Sequence, residues 1–144
     1  MENTADPQRR AMLTGACALV GLAFGSVLLA DDAQAAQGVK RLPDGRVQVR
    51  VNQVPALREV DGLVNLGNVK GVPTAIVRTG QNRYKALNLR CTHQGVPVKQ
   101  DGANWLCPAH GSMFALDGAL ERGPAMRPLA TVRARLSRGV LTVG

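Results

Sequence analysis

Residues 91–112, CTHQGVPVKQDGANWLCPAHGS, hold both histidines of the chain and two of its three cysteines. The four side chains form two short groups, Cys91-x-His93 and Cys107-x-x-His110, with thirteen residues between them. Thiolate sulfur and imidazole nitrogen together suit zinc or iron–sulfur chemistry. The stretch therefore predicts a metal site that is built by two short loops.

Two kinds of metal site are compatible with this spacing. A Cys2His2 set is a common structural zinc site, but zinc fingers usually supply a cysteine pair first and a histidine pair later. Here each group supplies one cysteine and one histidine. In a Rieske centre, two cysteines bind one iron of a 2Fe–2S cluster and two histidines bind the other. The pattern favours this cluster, and structural zinc is the alternative.

The two motifs Cys91-Thr92-His93 and Cys107-Pro108-x-His110-Gly111-Ser112 match the cluster-binding loops of the Rieske 2Fe–2S family. The resemblance extends over roughly residues 46–143. Other segments that resemble the family are residues 55–60 and 75–78 (early strands), 114–118 (after the second loop) and 123–125 (a proline loop over the cluster).

The resemblance implies one 2Fe–2S cluster and a role for each residue around it. Cys91 and Cys107 would bind the inner iron as thiolates, and His93 and His110 would bind the outer iron. Ser112 matches a serine whose hydroxyl donates to a bridging sulfide. Because two neutral imidazoles replace two thiolates, the cluster is less negative and accepts an electron more readily.

Four positions near the ligands differ from the respiratory members of the family. Val96 and Ala109 stand where those proteins carry two cysteines that form a disulfide between the loops. Phe114 replaces a tyrosine that donates to a cysteine sulfur, and Gln94 replaces a leucine that contacts the quinone pocket. Loss of a donor leaves the sulfur more electron-rich and lowers the potential. We therefore predict a lower-potential carrier, with loops held by backbone hydrogen bonds, packing and Gly123-Pro124.

The mature part of the chain shows the pattern of an all-β protein. Residues 46–54 alternate between valine and polar side chains, which predicts a half-buried strand. Asp101-Gly102 predicts a hairpin turn, and no segment has sustained helical periodicity. Short strands with frequent turn signals indicate an antiparallel β-sandwich or barrel. Further strands are predicted at residues 63–66, 74–79, 84–89, 105–106, 113–116, 119–121, 129–136 and 140–143.

Residues 1–35 have the features of an export signal. Arg9-Arg10 precedes a twenty-residue apolar run, residues 11–30, and Ala33-Gln34-Ala35 matches a cleavage signal. The leader resembles a twin-arginine signal, although Gln8 stands where serine or threonine is usual. The run is also long enough to span a bilayer. Cleavage and retention as a membrane anchor both remain open.

The predicted domain organisation is therefore a leader, residues 1–35, and a Rieske domain, residues 36–144. Within the domain, residues 90–125 would form a cluster-binding subdomain inserted at one tip. Residues 36–44 are expected to be a flexible lead-in.

The charge of the chain restricts its partners. The net charge is +8 overall, and without residues 1–35 there are 16 basic and 6 acidic residues. This balance favours anionic partners such as an acidic redox protein or a membrane surface. Nucleic acid is excluded because the basic residues are scattered and aromatic residues are 3% of the chain. With both remaining cysteines used as ligands, no disulfide is expected, either internally or to a partner.

These features predict a periplasmic one-electron carrier rather than an enzyme that acts alone. Its partner would be a c-type cytochrome, a cupredoxin or the large subunit of an oxidoreductase resembling arsenite oxidase. The alternative is a membrane-anchored Rieske subunit of a cytochrome bc-type quinol-oxidising complex. A soluble ferredoxin for a ring-hydroxylating oxygenase conflicts with the leader, and a zinc-stapled interaction module is the non-redox alternative.

Overall fold

The structure, a computed structural model, describes residues 38–144. The predicted leader, with its apolar run and twin-arginine motif, lies outside these residues. Within them, no helix has the length and apolar character needed to cross a membrane. One turn of 3-10 helix, Pro55–Leu57, accompanies twelve strands. The strands are β1 Val39–Arg41, β2 Val47–Arg50, β3 Leu63–Val69, β4 Val72–Gly80, β5 Arg83–Asn88, β6 Lys99–Asp101, β7 Asn104–Leu106, β8 Met113–Ala115, β9 Leu120–Arg122, β10 Thr131–Val132, β11 Ala134–Ser137 and β12 Val140–Val143.

The strands form three antiparallel sheets of four strands each. The terminal sheet has the order β1-β2-β12-β11, and the central sheet has the order β10-β5-β4-β3. The inserted sheet, β6-β7-β8-β9, is formed by the chain between β5 and β10. The predicted all-β antiparallel fold is confirmed. None of these sheets closes into a barrel within the described residues.

The central sheet separates two hydrophobic cores. Successive side chains of a strand point to opposite faces, so Ile76 and Ala86 join a core shared with the terminal sheet. Ala75, Val77 and Leu87 join the second core, which contains residues of the ligand loops and of the inserted sheet. This two-sided burial explains why residues 74–77 are all buried. The terminal sheet and the candidate ligands therefore lie on opposite sides of the central sheet.

The strand predicted at residues 46–54 is shorter than expected. It ends at Arg50, and the chain turns through residues 51–53 before the 3-10 helix at Pro55–Leu57. Val51 and Val54 are nevertheless buried, since the turn returns both side chains to the first core. The alternation thus reported burial and not strand length. The early strand expected at residues 55–60 is also wrong, because Pro55–Leu57 is the 3-10 helix and no strand follows it before β3.

Three other local predictions have clear outcomes. The prediction of a flexible lead-in is wrong for residues 39–41, because these residues form β1. This strand pairs with β2, and Lys40 lies opposite Gln48. The strand predicted at residues 129–136 is two strands, β10 and β11, which belong to different sheets. The hairpin turn is confirmed, since Asp101 pairs with Asn104 and Gly102 has φ +57°.

Candidate metal centre

The two motifs fold into loops with the same backbone hydrogen bonds. In loop 1, residues 91–96, the Cys91 amide donates to the Val96 carbonyl at 2.8 Å, and the Gly95 amide donates to the Cys91 carbonyl at 2.7 Å. In loop 2, residues 107–112, the Cys107 amide donates to the Ser112 carbonyl at 2.8 Å. Its fifth residue, Gly111, likewise donates its amide to the Cys107 carbonyl at 2.9 Å. Each loop therefore begins at a cysteine and closes five residues later.

The glycine of each loop is required by its backbone conformation. Gly95 and Gly111 both have φ +75°, in the left-handed region that side chains with a Cβ rarely adopt. A Cβ at either position would meet no heavy atom within 4 Å. The requirement is therefore conformational and not a matter of space.

The cysteines form the inner half of the site. Cys91 and Cys107 are both free and buried, and they belong to the second core together with Trp105 and Phe114. Burial raises the pKa of Cys107, but the backbone amides of Ala109 and His110 and the Cys91 thiol hydrogen-bond its sulfur and outweigh burial, so its pKa is lowered. The loop therefore favours the thiolate, which is the form that binds a metal.

The histidines form the outer half of the site. His93 and His110 are both exposed, and their ring centroids are 4.8 Å apart with the planes at 86°. His93 is the third residue of loop 1 and His110 the fourth residue of loop 2. The two histidines therefore occupy different positions of loops that have the same backbone hydrogen bonds, and their rings meet edge to face.

The donors come as two pairs and not as one group of four. Within residues 38–144, no group of three or more His, Cys, Asp or Glu side chains is arranged to hold a single metal ion. A structural zinc site needs four protein ligands around one ion. In a Rieske cluster, each iron takes only two protein ligands. A buried thiol pair beneath an exposed imidazole pair therefore fits a 2Fe–2S cluster better than it fits zinc.

Ser112, the last residue of loop 2, has a hydroxyl that can still donate a hydrogen bond. The residue is completely buried, and its Oγ accepts the Ala125 amide at 3.0 Å. Among the hydrogen bonds of the described residues, the Ser112 hydroxyl donates none. Since a hydroxyl can donate once as well as accept, its proton is available to a sulfur acceptor.

A segment that begins at the last residue of β9, residues 122–127, connects the two loops, and we call it the strap. Its Arg122 Nε donates to the Gly111 carbonyl at 3.3 Å, and its Ala125 amide donates to Ser112. At the other end, the Thr92 hydroxyl donates to the Arg127 carbonyl at 2.6 Å. The strap therefore joins loop 1 to loop 2 by hydrogen bonds, where Val96 and Ala109 exclude a disulfide.

The sequence predicted Gly123-Pro124 as the loop support but missed the bonds on either side of it. The motif contains Thr92, yet its acceptor is thirty-five residues away. Trp105, in a segment predicted to be a strand, is buried and donates its Nε1 hydrogen to the Leu116 carbonyl at 3.1 Å. Of the positions that differ from the respiratory pattern, Gln94 is exposed at the tip and Phe114 is completely buried.

Removing the strap bond at Thr92 should weaken the site without changing its electronics. Thr92→Val keeps the shape of the side chain and deletes the donor, at a cost of roughly 1 kcal/mol. We expect the visible absorption of the cluster to be lost at a lower temperature, with the midpoint potential unchanged. Thr79→Val is the matched control, because the Thr79 hydroxyl makes only a 3.5 Å contact with the Arg83 carbonyl, in the β4–β5 turn. Equal thermal loss in both variants would contradict this role.

Comparison with known proteins identifies the fold and the family. Residues 47–133 match the Rieske [2Fe-2S] domain. The cytochrome b6-f complex iron-sulfur subunit of Gloeobacter violaceus is 49% identical over 53 residues, which cover 35% of this chain and 28% of that protein. The cytochrome b6-f complex iron-sulfur subunit 2 of a Synechocystis species is 33% identical over 93 residues, covering 62% of this chain and 52% of that protein. The matched stretches therefore span about half or less of these relatives.

A solved structure supports the fold alone. A chain of a hyperthermophilic respiratory Complex III superposes with a TM-score of 0.54 at 20% identity, covering 69% of this chain and 74% of that chain.

The match to the Rieske [2Fe-2S] domain includes both loops and more than half of the chain. These findings confirm the predicted 2Fe–2S cofactor and electron transfer. This chain belongs to the Rieske [2Fe-2S] domain family.

Proposed function

We propose that this chain is the electron-transfer subunit of a cytochrome bc-type quinol-oxidising complex. The observation that supports it is the kind of protein found among the curated relatives, which include iron-sulfur subunits of cytochrome b6-f complexes. The sequence had placed this function second, after an exported carrier. The chain's own site is compatible with it, because two exposed imidazoles stand at the surface where a redox partner can approach.

In this proposal Cys91 and Cys107 hold the inner iron, and His93 and His110 hold the outer iron. The bound cluster supplies a reversible one-electron couple. The buried cysteines keep water from the inner side, and Ser112 offers its hydroxyl proton to a sulfur. The imidazole nitrogen that does not bind metal on each histidine can hold or release a proton at the exposed surface. Residues 90–125 would form the cluster-binding subdomain of a domain that spans residues 36–144.

The leader completes the proposal. The apolar run, residues 11–30, would hold the domain at the membrane or direct its export, with residues 36–144 on the periplasmic side. Mass spectrometry of the native protein would give its first residue. A first residue at Ala36 would show cleavage, and an intact chain would show retention.

The test is isolation of the tagged chain from native membranes in mild detergent. We expect it to purify with b-type haem and to support quinol-dependent reduction of a c-type cytochrome. Purification without haem, together with a soluble oxidoreductase, would contradict the proposal. A redox titration followed by electron paramagnetic resonance measures the midpoint potential of the cluster independently. Rieske potentials run from about −150 to +300 mV. Quinol oxidation calls for the upper part of that range.

A second candidate is the exported carrier for a periplasmic oxidoreductase resembling arsenite oxidase. It is favoured by one group of observations in the site itself. Phe114 has no hydroxyl to donate to a cysteine sulfur, and Val96 and Ala109 cannot form the disulfide of the respiratory proteins. A midpoint near the bottom of the Rieske range, in a protein that purifies without haem, would move this function to first place.

Phe114→Tyr tests the argument about potential directly. Phe114 is completely buried in the core that holds both cysteines, and it lies opposite Trp105 in the register of β7 and β8. A hydrogen bond from a tyrosine hydroxyl to a cysteine sulfur withdraws electron density from the sulfur. We therefore expect the midpoint potential of the cluster to rise. Phe114→Leu is the control for repacking and should leave the potential near that of the parent. An unchanged potential in Phe114→Tyr would show that no such bond forms.

A further inference from the structure

The positive charge of the protein is concentrated on the side away from the ligand loops. The segments of the terminal sheet, residues 38–50 and 133–144, contain seven basic residues and one acidic residue, Asp44. Asp44 is already paired with Arg46, at 2.6 Å. Residues 90–125, which build the loops and the inserted sheet, contain three basic and three acidic residues. The charge excess is therefore not placed where electrons would enter or leave.

The register of the terminal sheet places its cations on one face. Lys40, Gln48, Thr142 and Arg135 lie directly across the four strands from one another. Their neighbours along each strand, such as Val49 and Leu141, are buried in the first core. Because side chains alternate along a strand, the row from Lys40 to Arg135 points away from the core. Arg50, two residues after Gln48, lies on the same face and is exposed.

This outer face carries polar and basic groups and is free of carboxylates. Within β1, β2, β11 and β12, no aspartate or glutamate occurs. Lys40, Arg50 and Arg135 are exposed and make no ion pair among the described residues. An exposed sheet normally mixes charges of both signs, so a face of one sign favours an anionic surface.

The chain that precedes β1 indicates which anionic surface this is. The apolar run ends at Ala30, and Gly38 leads into β1 at the edge of this sheet. Seven residues separate them, which limits the distance to at most about 28 Å. We propose that the outer face of the terminal sheet, centred on Lys40, Arg50 and Arg135, binds the anionic phospholipid headgroups of a membrane. Each Lys or Arg near such a surface strengthens binding roughly fivefold.

This inference does not rest on the proposed function, because it concerns the far side of the central sheet from the cluster. Since that contact turns the histidines away from the bilayer, it and the approach of the cluster to a quinol in the membrane would be alternative positions of the domain. A membrane contact there leaves His93 and His110 exposed to a redox partner. The docking face and the redox face of the molecule would then be different surfaces.

The test is lysine footprinting of the full chain mixed with vesicles. Lys40 lies on the proposed face, whereas Lys99 is exposed on the inserted sheet and serves as the internal reference. With vesicles of phosphatidylcholine and phosphatidylglycerol, acetylation of Lys40 should slow relative to Lys99. With phosphatidylcholine alone, the ratio should not change. If the apolar run enters the bilayer, it brings Lys40 close to either kind of vesicle, so the neutral vesicles and the charge variants separate this proximity from binding of anionic headgroups.

A pair of charge variants makes the test specific. Arg50→Gln with Arg135→Gln removes two charges from the face and keeps Lys40 as the reporter, so its protection should be lost. Arg83→Gln with Arg127→Gln removes two exposed charges elsewhere and should retain it. Equal protection of Lys40 and Lys99, equal protection on neutral vesicles, or protection of Lys40 only by an acidic protein would each overturn the proposal. The redox titration tests the electron-transfer function separately.

Discussion

Replacing Cys107 by serine is expected to abolish the Rieske electron paramagnetic resonance signal and all cluster-dependent electron transfer. A serine hydroxyl is a hard oxygen donor with a much higher pKa than a thiol, so it does not replace the thiolate that iron requires. The loop already favours that thiolate, because the amides of Ala109 and His110 hydrogen-bond the Cys107 sulfur. The measurement is the low-temperature spectrum of the reduced protein, together with its iron content.

Cys17→Ser is the matched control for this variant. It makes the same substitution at the one cysteine of the chain that is not a proposed ligand. Cys17 lies in the leader, so its replacement should leave the spectrum unchanged. Circular dichroism of both variants would show whether the sheets still form. A normal Rieske spectrum in folded Cys107→Ser protein would contradict the assignment of Cys107 as a ligand.

His110→Cys tests the outer iron in the same way. It exchanges a neutral imidazole for a thiolate at an exposed position, so the Rieske signal should disappear. Any cluster that assembles should titrate at a much lower potential, nearer the value of about −400 mV for plant-type ferredoxins. A Rieske spectrum with its normal potential would show that His110 is not a ligand.

The ligand loops were the most predictable part of the molecule. Their chemistry depends on local spacing, since each loop is closed by hydrogen bonds that span only four or five residues. Gly95 and Gly111 could be interpreted from sequence for the same reason. The bond from Thr92 to the Arg127 carbonyl could not, because its acceptor is a backbone atom and no side-chain pattern marks it.

The strands were predictable where one face is buried and the other is exposed. Alternation located β2, but it could not locate its end, since Val51 and Val54 remain buried after the chain has turned. It also missed β1, in which Lys40 and Arg41 are exposed and Val39 is only partly buried. Arg41 explains part of this strand's stability, because its guanidinium donates to the Leu66 and Asn68 carbonyls of β3.

The choice of partner was the least predictable property. The sequence favoured a periplasmic carrier because Gln94, Phe114 and the missing disulfide depart from the respiratory pattern. The curated relatives instead favour a subunit of a cytochrome bc-type complex. The physical reason is that residues around a cluster tune its potential, whereas the partner is specified by surfaces that the ligand motif does not contain.

Gly62→Ala is expected to destabilise the whole domain, although Gly62 is far from the ligands in sequence. A Cβ at this position would lie 1.7 Å from the Ala56 carbonyl oxygen and 3.0 Å from the Glu59 carbonyl oxygen. Both obstacles are backbone atoms. The Gly62 amide also donates to the Glu59 carbonyl, and its own carbonyl accepts the Arg78 amide of β4. The turn therefore cannot move aside without breaking its connection to the central sheet.

We expect the unfolding free energy to fall by about 3 kcal/mol or more, at the upper end of the range for overpacking. Gly71→Ala is the matched control, because Gly71 has φ +78° but nothing lies within 4 Å of its would-be Cβ. That variant should cost only the conformational strain of about 1 kcal/mol. The measurement is the temperature at which half of the cluster absorption is lost. If Gly71→Ala lowered it as much as Gly62→Ala, the close approach of Ala56 would not be the reason for glycine at position 62. If Gly62→Ala is the more damaging, this turn supports the central sheet, whose buried side chains share a core with Cys91 and Cys107.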